Sequence, residues 1–142
     1  MRKLMGGVLC AMALGLVLSA ETLSKRIEFA NERWIPVGLI SEGIIIKEVR
    51  FEVQGGINWN PLRAGIGPQA FVALKNDSTR DMKVAVAIAL FDAKNDLIAA
   101  TEMSYPGTFE AGEADELKVT FRDVKRRFFE AKTAQIALET TR

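Results

Sequence analysis

Apolar residues recur at every second position over much of this chain, and that period belongs to strands rather than helices. The clearest case runs from Met82 to Phe91: Met82, Val84, Val86, Ile88 and Leu90 share one face, while Lys83, Ala85, Ala87, Ala89 and Phe91 share the other. Alanine favours helices. Strict alternation of large against small residues, with β-branched side chains at three of the five large positions, nevertheless predicts a strand. Its alanine face is expected either to lie under a closely approaching layer or to be lightly exposed. Within "GIIIKEVRFEV", Val49, Phe51 and Val53 alternate against Glu48, Arg50 and Glu52, and Leu117, Val119 and Phe121 do the same in "LKVTF".

Shorter runs complete the set. "WIPVGLI", "AFVALKN", "LIAATEMSY" and "AQIALET" each read as a strand, which brings the expected total to about seven. "QGGINWNPLRAGIGPQ" is too rich in Gly and Pro for a regular ladder, and Asn76, Asp77 and Ser78 form a turn cluster. "PGTFEAGEADE" reads as a turn-rich crossing. "RDVKRRFFEAKT" has room for one or two helical turns, capped by Asp123, with Val124 near Phe128 four residues on. Short alternating strands separated by turns, without regular intervening helices, predict an all-β fold: an antiparallel β-sandwich. Its expected span is 34–142, after a polar leader at 21–33, "TLSKRIEFANER" with Glu21 before it, that carries a short helix or strand.

The first twenty residues stand apart. Arg2 and Lys3 precede an uncharged apolar stretch, and small Ser19 and Ala20 precede the first acid, Glu21. This is the layout of a signal peptide over 1–20, cleaved after Ala20, and it predicts an exported protein, periplasmic or extracellular. The competing reading is an uncleaved anchor, because the apolar run is at the short limit of a bilayer span. Membrane contact is expected only through this segment. Cys10 lies mid-run and lacks the Leu-small-small-Cys order of a lipoprotein signal.

Loss of Arg2 and Lys3 takes the formal charge from +1 to −1, so the remaining chain has no strong field to draw it to nucleic acid. Cys10 is the sole cysteine and histidine is absent. After residue 20, ordinary Ser-His or Cys-His catalysis and His/Cys metal sites are therefore ruled out. No cofactor, metal or catalytic residue is expected. Carboxylate chemistry is the remaining enzymatic route, with Glu110, Glu113, Asp115 and Glu116 crowded in one crossing, but acidic loops are commonly just solvated.

The stretch "LKNDSTRDMKVAVAIALFDAKNDLIAATEMSYPGTFEAGEADELKVTF" resembles the FxLYD family of extracellular bacterial domains. Asn76 stands at the family's first mark, Leu90, Phe91 and Asp92 at the second, and Gly112 with Glu113 at the third. Ile88 takes the place of the leading Phe, and Phe91 replaces the Tyr, so that hydroxyl is lost. The resemblance implies an immunoglobulin-like sandwich, an envelope location and no catalytic residues.

Three functional readings follow. The first is a non-catalytic envelope module that contacts another envelope protein through a sandwich edge or end loop. The second is a small-ligand or glycan binder using Trp59 with Asn58 and Arg63 in the Gly/Pro loop; Trp34 and Tyr105 are further aromatic platforms. The third is a carboxylate hydrolase. Asp92, Asn95 and Asp96 supply only part of a calcium shell and are expected to shape their turn. "KRRFF" is expected to bury one Phe and leave its cations solvated, and Asn76-Asp77-Ser78 matches a glycosylation acceptor incidentally.

Overall fold

A computed structural model describes residues 20–53, 67–122 and 124–142. They form eight strands and one 3-10 helix: β1 Ala20–Glu28, β2 Trp34–Ser41, β3 Ile44–Val53, β4 Pro68–Asn76, β5 Lys83–Phe91, β6 Leu97–Ser104, β7 Ala114–Thr120, the 3-10 helix Lys125–Glu130, and β8 Thr133–Thr141. All ladders between these strands are antiparallel. The strand order is β1-β8-β5-β6 in sheet A and β2-β3-β4-β7 in sheet B. An all-β, two-layered architecture is thus the fold.

Each alternating segment places its large residues between the sheets. Val84, Val86, Ile88 and Leu90 of β5 are buried beside Ile136 and Leu138 of β8; they face Ile44, Ile46, Val49, Val72, Leu74 and Val119 from sheet B. Phe29, Phe51, Phe121 and Phe128 close one end, with ring centroids from 4.9 to 6.5 Å apart. Complete burial of one such side chain contributes about 1.5 to 3 kcal/mol. As the amphipathic pattern predicts, Phe128 is buried while Phe129 stays 60% exposed. Val124 caps the 3-10 helix without a side-chain bond, and Asp123 lies outside the described residues.

Eight strands appear where about seven are expected, because the polar leader supplies β1. Ile27 is buried and Leu23 half-buried, but the intervening inward position belongs to Lys25, opposite Ile136. The Lys25 ammonium donates to the Val37 carbonyl on β2 at 2.6 Å. A cation facing inward on an edge strand interrupts the apolar alternation, and it also guards that edge against further pairing.

The connecting turns follow local chemistry. Glu42 and Gly43 both have positive φ, 48° and 84°, between the paired residues Ser41 and Ile44. This is the two-residue turn whose twist matches a hairpin. A side chain at Gly43 would also meet Ser78 Cβ at 2.8 Å.

Candidate functional site

The acidic turn after β5 is built by its own side chains. Asp92 Oδ1 accepts from the backbone N–H groups of Lys94 and Asp96, both at 2.9 Å, and Asn95 adopts φ 65°. Asn tolerates that left-handed conformation better than most residues. Asn95 Oδ1 accepts from Arg26 Nη1 at 2.8 Å, and the Arg26 guanidinium sits 4.4 Å above the centre of the Phe91 ring. These groups tie β1 to the β5–β6 hairpin. Among the described residues, no group of three or more Asp, Glu, Cys or His side chains is placed to hold a metal ion.

A second polar constellation closes the opposite end of the sandwich. Asn76, fully buried at the end of β4, donates from Nδ2 to the carbonyls of Arg80 at 2.8 Å and Phe109 at 2.9 Å. Its Oδ1 accepts from Ser78 N at 2.9 Å and from Ser78 Oγ at 2.6 Å. Its backbone exchanges bonds with Glu113 and Gly112. The amide that matched a glycosylation acceptor is therefore inside the fold, with both its donors and its acceptor engaged.

Tyr105 packs its ring 4.7 Å from that of Phe109 and points its hydroxyl at Glu113 Oε1 and Asp115 Oδ2, each at 2.8 Å. A phenol has one proton, so it donates to one carboxylate at a time. The hydrogen bond to Asp115, then that to Glu113, then partial burial, raise the Tyr105 hydroxyl well above its ordinary value of 10.0. Of the crowded acids, Glu113 also accepts from the Glu110 backbone N–H at 2.9 Å. These carboxylates hold the crossing in shape.

Trp34 lies on the outer face of sheet B, in one cross-strand row with Arg50, Phe71 and Lys118. It is half-buried. Trp59, Asn58 and Arg63 fall outside the described residues.

The strand edges differ most. On β1 and β2, Lys25 occupies the Val37 carbonyl; Pro36 removes an N–H, Gly38 has φ 67°, and the register shifts between Pro36 and Leu39. The edge strand β7 carries Asp115, Glu116 and Lys118, and its Thr120 carbonyl accepts from Thr101 Oγ1 at 3.0 Å. Proline, charge and bulges are the usual guards of an edge.

β6 has none of the backbone guards along Ala99–Ser104; its register shift lies at the hairpin end, opposite Leu90 and Phe91. The strand pairs with β5 alone. Tyr105 N–H donates to the Val84 carbonyl at 2.8 Å, so by antiparallel alternation Met103 and Thr101 also bond toward β5. The N–H and C=O groups of Ala100, Glu102 and Ser104 consequently point outward, with no partner among the described residues. Leu97 is 55% and Met103 37% exposed at the same edge. No proline, lysine or aspartate occurs within the strand.

The alanine face of β5 borders this edge. Ala85, Ala87 and Ala89 are half-exposed on the outer face of sheet A, so of the two expected arrangements the light exposure is the one found. Ala85, Ala87 and Ala137 floor shallow depressions that Glu102 and Glu139 flank. Openness of the β6 backbone was not readable from sequence, because pairing partners are set by topology rather than by the strand's own residues.

Compared with known proteins, the chain matches no family model, and no curated protein matches it. The likeness to FxLYD domains rests on the residues quoted for it.

Proposed function

We propose that this chain is a non-catalytic interaction module of the bacterial cell envelope, exported to the periplasm or beyond, that contacts another envelope protein by accepting one of its strands at β6. The observation that carries this reading is the row of outward backbone groups at Ala100, Glu102 and Ser104, on the same strand as exposed Leu97 and Met103. An added strand would satisfy those groups and cover the apolar side chains in one step. The apolar stretch after Arg2 and Lys3 supports export.

The strand order supports an immunoglobulin-like relationship. In such sandwiches A pairs with B, B with E, C with F and F with G. β3, β4 and β7 take the A, B and E positions, and β5 and β8 take C and F. β6 lies beside C as a C′ strand, while β1, from the opposite end of the chain, takes the G position beside F. This arrangement and the quoted motif together favour kinship with FxLYD-type domains.

The edge is tested by Glu102→Pro. Proline removes an outward N–H that the folded sheet does not use, and the preceding Thr101 is already extended, as proline requires. Affinity capture from an envelope extract is expected to recover a partner with the parent protein and to lose it with the folded variant. Recovery of the same partner by both rules out β6.

A second reading, a small-ligand or glycan binder, is favoured by the Trp34, Arg50, Phe71 and Lys118 row, which sets aromatic and cationic groups on one outer face. The Gly/Pro-rich sequence bearing Asn58, Trp59 and Arg63 falls between the two central strands of that sheet in chain order. Glycan-array binding abolished by Trp34→Ala or Trp59→Ala, and unaffected by Glu102→Pro, would select it.

A further inference from the structure

We infer that the segment accepted at β6 places a lysine or arginine directly across from Glu102, between apolar residues. This rests on the edge-pairing reading and adds the chemistry of the partner. Glu102 sits midway along the outward backbone row and is exposed, and it makes no hydrogen bond or ion pair with any described residue. Its neighbours across the sheet on the inner side are Ala87 and then Ala137, which offer no charge. Glu139 and Lys83 line the nearby depression with it, leaving one more carboxylate than ammonium there.

Position then selects chemistry. In an antiparallel addition the residue opposite Glu102 has its side chain on the same face, and opposite charges across strands attract while like charges repel. The partner's residues on either side of that position face Thr101 and Met103 on the other side of the sheet, where the 37% exposed Met103 favours apolar contact. Two positions away, Ala100 and Ser104 are small, so bulk is accommodated there. A basic residue flanked by β-branched or apolar ones fits this row. A second copy of β6 paired about Glu102 would set two carboxylates against each other, which disfavours that register and favours a basic residue from another chain.

The test uses two acetylated and amidated heptapeptides that alternate valine and threonine around a central lysine or a central glutamate. Each is titrated into the isotopically labelled protein, and amide shifts of Ala100, Glu102 and Ser104 are followed. The lysine peptide is expected to bind at these amides about tenfold more tightly than the glutamate peptide, and Glu102→Lys to reverse the order. Thermal melting checks that this exposed-site variant stays folded. Equal affinity of both peptides at these amides overturns the charge inference and leaves the edge reading standing. Failure of both peptides to move these amides overturns the two together. Dilution-dependent shifts of the same amides in the protein alone, with dimer sedimentation, make a second copy the occupant and also overturn the inference.

Discussion

Around Asn76 the polar groups are bonded within the chain, whereas along β6 a row of backbone groups faces outward with no partner among the described residues. Both regions lie at strand ends or edges, where the ladder stops and N–H and C=O groups need other partners. At Asn76 one buried amide supplies two donors and an acceptor to three neighbouring residues. At β6, among the described residues, only the Thr101 hydroxyl reaches across, to the Thr120 carbonyl, and it does so from the inner side of the strand. The difference teaches that polar groups in this protein are not a single class: those around Asn76 are consumed in closing the fold, and those along the outer edge of β6 find no partner among the described residues.

The largest effect should come from breaking the closed region. Asn76→Ala leaves the Arg80 and Phe109 carbonyls and the Ser78 N–H without their partner, at a cost of about 3 kcal/mol. Chemical denaturation measures it, and a loss near zero would mean that water replaces the amide freely.

On the open edge, the same Glu102→Pro change that blocks pairing is expected to cost about 1 kcal/mol or less, since the N–H it removes is not used in the fold. A loss comparable to that of Asn76→Ala would show that the edge is closed after all.

Smallest is Tyr105→Phe, about 0.5 kcal/mol at neutral pH once the partial exposure of the site is allowed for. Its signature is pH dependence. Because Asp115 and Glu113 raise the folded hydroxyl above 10.0, the stability it contributes is whole below that pH and is lost as pH rises above it. Alkaline denaturation curves of the parent should therefore fall more steeply above pH 10 than those of the phenylalanine variant.

How much of this was legible differs between the same two regions. Period-two alternation exposed β5 along its length, β3 from Val49 onward and β7 from Leu117 onward, because the inward positions there carry large apolar residues; a register shift between Ile46 and Glu48 interrupts the pattern in β3. For β1 the sequence left a short helix and a strand both open, since Lys25 interrupts the apolar alternation by standing at an inward position and sending its ammonium to a carbonyl of the facing sheet. The Asp92 turn was legible, as short polar side chains bond to nearby backbone regardless of tertiary context. Asn76 stood out as a motif position, but its partners at Phe109 and Glu113 come from distant sequence and could not be assigned before the fold was known. The openness of β6 depends on which strands flank it, a property of the topology. Trp59, Asn58 and Arg63 lie outside the described residues.

Amide hydrogen exchange along β6 in the free protein tests the central claim most directly. The amides of Ala100, Glu102 and Ser104 are predicted to exchange rapidly, while those of Thr101, Met103 and the adjoining Tyr105 are protected by β5. Uniform protection of all six amides would contradict an open edge at β6.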